Sequence, residues 1–202
     1  MVDSGAFTDW ACWYEAGRDG RLMNLLAKLP RERWAELHGY GDTLLHLACR
    51  GPNVAAAVAL VQSGLVDLNA RDKWGTTPAH YAASYTQRQM LEMLCATGAD
   101  LQARNNHGDS PIDYALMYAD NETVRVLVAN GVRLSTVREG YRREYITPEL
   151  EAFERGVLCC RAAVVAMLRV KKVAKLHHVD KFLMRELAYA MWATRTNDQW
   201  QK

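Results

Sequence analysis

Gly75-Thr76-Thr77-Pro78-Ala79-His80-Tyr81-Ala82-Ala83 has two counterparts in the same chain. Gly41-Asp42-Thr43-Leu44-Leu45-His46-Leu47-Ala48 begins 34 residues earlier, and Gly108-Asp109-Ser110-Pro111-Ile112-Asp113-Tyr114-Ala115 begins 33 residues later. A second mark keeps the same beat: Gly64, Gly98 and Gly131 stand 34 and 33 residues apart. The odd residue is local, because the turn Gly64-Leu65-Val66-Asp67-Leu68-Asn69-Ala70 is one residue longer than Gly98-Ala99-Asp100-Leu101-Gln102-Ala103. Two marks in step point to a stacked-repeat architecture.

The residues of one unit say what the unit is. Thr or Ser ahead of Pro starts a helix: the hydroxyl caps a free N–H, and Pro suits the first helical position. Gly after a helix allows the left-handed backbone that closes it. Met90, Leu91 and Leu94 share one helical face, as do Val124, Leu127 and Val128. Each unit is therefore expected to be helix, turn, helix, then a hairpin-like loop. Thr43, Thr77 and Ser110 should begin inner helices, and Gly64, Gly98 and Gly131 should follow outer ones. One unit cannot bury its apolar face alone, so the units stack.

The pattern resembles the ankyrin repeat. Thr77-Pro78-Ala79-His80-Tyr81-Ala82-Ala83 is similar to that family's Thr-Pro-Leu-His opening, and 98–103 to its closing turn. Stepping back from Thr43 reaches Trp10, and Ala16 and Leu25-Leu26 then fall at the apolar places of a degenerate first unit. The resemblance spans residues 6–138, about four units, and implies an all-α ankyrin-repeat solenoid. It also implies that His46 and His80 bond the Thr hydroxyl and the neighbouring loop and carry no catalysis or metal. Asp113 fills the same place in the fourth unit and can accept from Ser110.

After Gly131 the beat stops. The polar, basic stretch 139–146 reads as a connector, and 147–202 as a C-terminal helical module packed on the last repeat. Thr147-Pro148-Glu149-Leu150 starts a helix in which Leu150, Phe153, Val157, Cys160 and Val164 recur at helical spacing. A second helix is expected from Asp180, stapled by Val179 and Met184, with Leu187, Met191 and Trp192 buried. These helices would cap the open end of the solenoid. Segments 154–163 and 191–200 are similar to the tails of ankyrin proteins encoded by large DNA viruses of amoebae. Leu158-Cys159-Cys160-Arg161-Ala162-Ala163-Val164 is similar to the core of SOCS boxes, which recruit a ubiquitin ligase. Gly156 stands where that pattern has Leu, and its Leu-Pro pair before the last helix is absent.

Composition narrows the function classes. Over 202 residues, 50% are hydrophobic and 24% charged, an ordinary globular balance. The net charge of +2 gives no global pull toward nucleic acid, which is not expected as a partner. Residues 1–140 hold 13 basic and 16 acidic side chains, and 141–202 hold 12 and 7, so the two parts present different surfaces. Between Glu154 and Asp180 six basic residues stand without an acid. Five scattered cysteines read as thiols in a reducing compartment, cytoplasmic or nuclear. No apolar run reaches the roughly 20 residues needed to cross a bilayer, so no membrane is expected. No secretion signal is expected either. No phosphate loop or nucleophile elbow emerges, and no enzyme or cofactor is expected. Cys159-Cys160 with His177-His178 lacks the usual ligand spacing, because adjacent helical residues point about 100° apart.

What remains is a binding surface. In the ankyrin family contacts come from loop tips and the inner-helix face. Three residues before each landmark stand Tyr40, Trp74 and His107, with Phe7 in the first unit. Seven and eight residues after it stand Arg50 and Gly51, Ser84 and Tyr85, and Met117 and Tyr118. Aromatics with Arg and Met are what interface centres favour. Tyr40, Arg50, Trp74, Ser84, Tyr85, His107, Met117 and Tyr118 are thus the candidate contacts for a protein partner. The loop aromatics have a second reading, as packing against the neighbouring loop. Three roles fit such a surface: a viral protein engaging a host protein, a ligase adaptor, and a virion component. Nothing in the sequence marks oligomeric state.

Overall fold

The computed structural model describes residues 10–34, 40–118 and 120–170. The helix expected from Asp180, the Val179–Met184 staple, the burial of Leu187, Met191 and Trp192, Phe7, and the pair His177-His178 all lie outside the described residues. The chain divides into two compact units, Met1–Thr123 and Val124–Lys202.

In the first unit, helices alternate with loops in the expected register. Helices α1 (Trp10–Arg18), α3 (Leu44–Cys49), α5 (Pro78–Ser84) and α7 (Pro111–Met117) are the inner ones, and each neighbours the next. Helices α2 (Leu22–Leu26), α4 (Val54–Gln62) and α6 (Arg88–Thr97) form the outer row. Thr43, Thr77 and Ser110 cap α3, α5 and α7, each through a reciprocal pair with the residue three further on. Gly98 closes α6 at φ 91°, a conformation that Gly adopts without the strain of a Cβ. Among the described residues there is no strand.

Helices α1 and α2, where a degenerate first repeat is expected, carry buried residues of their own. Trp13, Ala16, Leu22 and Leu26 are buried, as Leu44, Leu45, Leu60, Met90, Leu91 and Leu94 are in the units that follow. Asn53, itself buried, donates to the Gly17 carbonyl and accepts from the Leu22 N–H at 3.3 Å, so one side chain ties units one and two. A Cβ on Gly51 would stand 2.3 Å from the Gly17 carbonyl oxygen, so the ends of α1 and α3 meet only because Gly51 has none.

The second unit has its own buried set: Val124, Leu127, Val128, Val132, Leu134, Val137, Leu150, Phe153, Val157 and Cys160. Helix α8 (Asn121–Ala129) leads into it, and Gly131 follows with φ 100°. The stretch expected as a connector carries helix α9 (Glu139–Tyr145), which buries nothing. The Leu134 N–H donates to Glu154 at 3.0 Å, joining the preceding 3-10 turn to α10 (Pro148–Val170). Leu150, Phe153, Val157 and Cys160 line the buried face of α10 at spacings of three and four. No described helix is long and apolar enough to cross a membrane.

Candidate functional site

The site is built from the tips of two turns and the ends of two inner helices. In each turn a buried polar residue holds the loop closed. Asp72 Oδ1 accepts from the N–H groups of Trp74 and Thr76, both at 2.8 Å, and Oδ2 accepts from the Tyr81 hydroxyl at 2.8 Å. One repeat on, Asn105 accepts from His107 and Asp109, both at 2.9 Å, and donates to the Tyr114 hydroxyl at 3.1 Å. The tips also bond one another: Lys73 N–H donates to the Tyr40 carbonyl at 3.0 Å, and Asn106 N–H to the Trp74 carbonyl at 2.8 Å. Backbone donors at the tips are thereby used up within the fold, and the side chains are what the tips present.

The histidines are structural. His46 Nδ1 accepts from the Thr43 N–H at 3.0 Å and its Nε2 meets the Thr76 carbonyl at 3.0 Å. His80 repeats this with Thr77 at 3.1 Å and Asp109 at 3.0 Å. An Nδ1 that accepts from an N–H must be unprotonated, so both rings are neutral and donate through Nε2. Asp113 takes the same place, accepting from the Ser110 N–H and hydroxyl at 2.8 and 2.6 Å.

A pH effect follows from this. Burial pushes both imidazoles below their ordinary value of 6.5, against the opposing pull of the carbonyl bonds. A depressed value means stability is complete above 6.5 and lost as pH falls below it. Asp42, raised above 3.8 by burial with Arg50 and His46 opposing, acts with the opposite sign, so His80 gives the cleaner test. His80 faces Arg71, Asp72 and the Asp109 carbonyl. The expected result is that His80→Asn is less stable than the wild type at pH 7.5 and loses less on acidification to pH 5.5. Each pH unit within the window is worth at most about 1.4 kcal/mol for one histidine. Equal losses in thermal melts of the two proteins would contradict it.

Of the eight expected contact residues, seven reach the surface. Tyr40, Trp74, Tyr85, His107, Met117 and Tyr118 are exposed, and Ser84 is half-buried. Arg50 is the exception, at 8% exposure. Its guanidinium bonds Asp42 Oδ2 at 3.1 Å and the Tyr81 hydroxyl at 3.0 Å, between the Tyr14 and Tyr81 rings at 4.4 and 4.5 Å. Arg50 therefore braces the face from within.

The surface residues form two groups. Tyr40 and Trp74 pack against each other with ring centroids 5.3 Å apart, and the Lys73 ammonium sits 3.5 and 4.3 Å from their centroids. Packing against the neighbouring loop is thus realised for Tyr40. Trp74, Ser84, Tyr85 and His107 meet around a cleft of about 160 Å³, floored by Thr76, His80, Tyr81 and Tyr114. Tyr85 stacks on Tyr81 at 6.4 Å and 11°. Burial raises its hydroxyl above the ordinary value, Arg50 opposes, and the Tyr14 and Tyr118 hydroxyls add to the rise. Tyr118 ends α7 at the position where Tyr85 ends α5, one repeat on.

Tyr81, Tyr114 and Lys73 were not among the expected residues. The two tyrosines had a signal, lying 33 apart and four residues before Tyr85 and Tyr118. Among the described residues no group of three His, Cys, Asp or Glu side chains is placed to hold a metal.

Comparison with protein families agrees with this geometry. Residues 60–115 match the model for ankyrin repeats (many copies), and residues 40–73 match the ankyrin repeat model. Together the matches run through the cleft and both tips.

Proposed function

With ankyrin repeats over residues 40–115 as the premise, we propose that this chain binds a protein partner through the aromatic face of its first unit, without catalysis. The ankyrin repeat is a protein–protein interaction module, which supports the class of function, and the place is what we add. One observation carries the place: four exposed or half-exposed residues from two successive repeats converge on one cleft whose floor is already bonded. A face fixed in advance incurs little ordering cost on binding. Tyr118 and Met117 extend it, and Tyr40 and Trp74 edge it.

The tail's likeness to ankyrin proteins of amoebal DNA viruses supports a viral protein that engages a host protein. The adaptor reading weighs less. Cys160, at the core of that motif, is 4% exposed, and a recruiting residue has to be open to solvent. Nothing observed favours a virion component.

Affinity capture with mass spectrometry separates the two main readings. Full-length wild type is compared with Trp74→Ala, on the cleft, and Cys159→Arg, on the exposed side of α10. Partners lost with Trp74→Ala and kept with Cys159→Arg are the expected result. Ligase subunits lost with Cys159→Arg alone would move the function to the tail.

A further inference from the structure

The charges around the cleft are sorted by depth. Three acidic side chains of the two turns and of α7, Asp72, Asp109 and Asp113, are buried, at 5%, 9% and 1% exposure. Asp72 is covered by two N–H groups and a phenol, and Asp113 by an N–H and a hydroxyl. Three basic side chains on the same turns, Arg71, Lys73 and Arg104, are exposed. The Arg71 guanidinium lies over Gly75 and donates to the Arg104 carbonyl at 2.6 Å, and the Lys73 ammonium lies on the Trp74 ring at the rim of the cleft. Arg104 donates to the Gly108 carbonyl at 2.7 Å, beside His107. Buried acids beneath and exposed cations above, Arg104 among them with its ion pair to Asp113 at 3.9 Å, give an approaching molecule a positive rim. The cleft, at about 160 Å³, is well below the roughly 300–1,000 Å³ of pockets for drug-sized ligands, and takes about one large side chain.

We infer that the occupant is an acidic segment of the partner protein that seats one apolar or aromatic side chain in the cleft while its carboxylates meet Arg71, Lys73 and Arg104. This rests on the reading of the aromatic face as the partner site. Recognition runs through side chains, since the tip N–H groups of Lys73 and Asn106 are already bonded across repeats. Rim charges of this kind set selectivity and salt dependence more than the anchor does.

The test is selection from a displayed library of random 12-residue peptides on the full-length chain, with a random single-stranded DNA pool in parallel. The expected peptides carry Asp or Glu around one large apolar residue, and their affinity falls as salt rises from 50 to 300 mM. Lys73→Glu with Arg104→Glu should weaken them about tenfold or more and select Lys- or Arg-bearing peptides instead. Lys73→Gln, a milder change, should fall between. Neutral or basic peptides that still need Tyr85 would overturn the acidic partner and leave the aromatic face standing. Peptides indifferent to both Tyr85→Ala and the charge reversal, or no enrichment at all, would overturn both. Preferential recovery of DNA would overturn the protein partner.

Discussion

Arg50→Ala is expected to lower stability by about 3–5 kcal/mol, the usual cost of removing one partner of a buried ion pair. Asp42 would be left with 4% side-chain exposure and no countercharge, and its Oδ1 already lacks a hydrogen-bond partner. Tyr14 and Tyr81 would lose the cation between their rings, and Tyr81 a hydrogen bond. At about 2–4 °C per kcal/mol for chains of this size, the melting temperature should drop by roughly 10 °C. Arg50→Met with Asp42→Asn should recover part of it, because no charge is then stranded. An unchanged melting temperature with lost partner binding would return Arg50 to the contact surface where its place in the repeat first put it.

Tyr85→Ala with Tyr118→Ala carries the largest expected effect on binding. Anchors of this type commonly cost 2 kcal/mol or more when truncated, about thirtyfold in affinity for each. Tyr118 is 54% exposed and Tyr85 39%, so most of what they lose is partner contact. Tyr85 also gives up its stack on Tyr81. Its own variant should therefore soften stability by about 1 kcal/mol, within the range of an aromatic pair. Tyr118→Ala should stay within about 0.5 kcal/mol, as exposed positions do. Titration against a captured partner, beside a thermal melt, reads both numbers. Normal binding by the double variant would remove the two tyrosines from the site.

The repeat was legible because its signals are local. A Thr or Ser that caps its own helix, and a Gly that closes one, need no knowledge of neighbours; hence Thr43, Thr77, Ser110 and Gly98 stand where the spacing puts them. Arg50 shows the limit. Its offset from Thr43 equals that of Ser84 from Thr77, yet Asp42, Tyr14 and Tyr81 close around it, and only the stacked fold brings those three together. Lys73 carries no local signal for the same reason, since its seat on Tyr40 and Trp74 depends on a bond between loops of two repeats. Helix α9 carries no apolar stripe, so nothing in Glu139–Tyr145 separates it from a polar link.

Amide hydrogen exchange of the full-length chain, free and with a captured partner, tests the central claim most directly. Slowed exchange at the tips 73–76 and 106–108 and at the helix ends 84–86 and 117–118, with residues 150–162 unchanged, is the predicted result. Slowing confined to 150–162, with the tips exchanging as in the free chain, would contradict it.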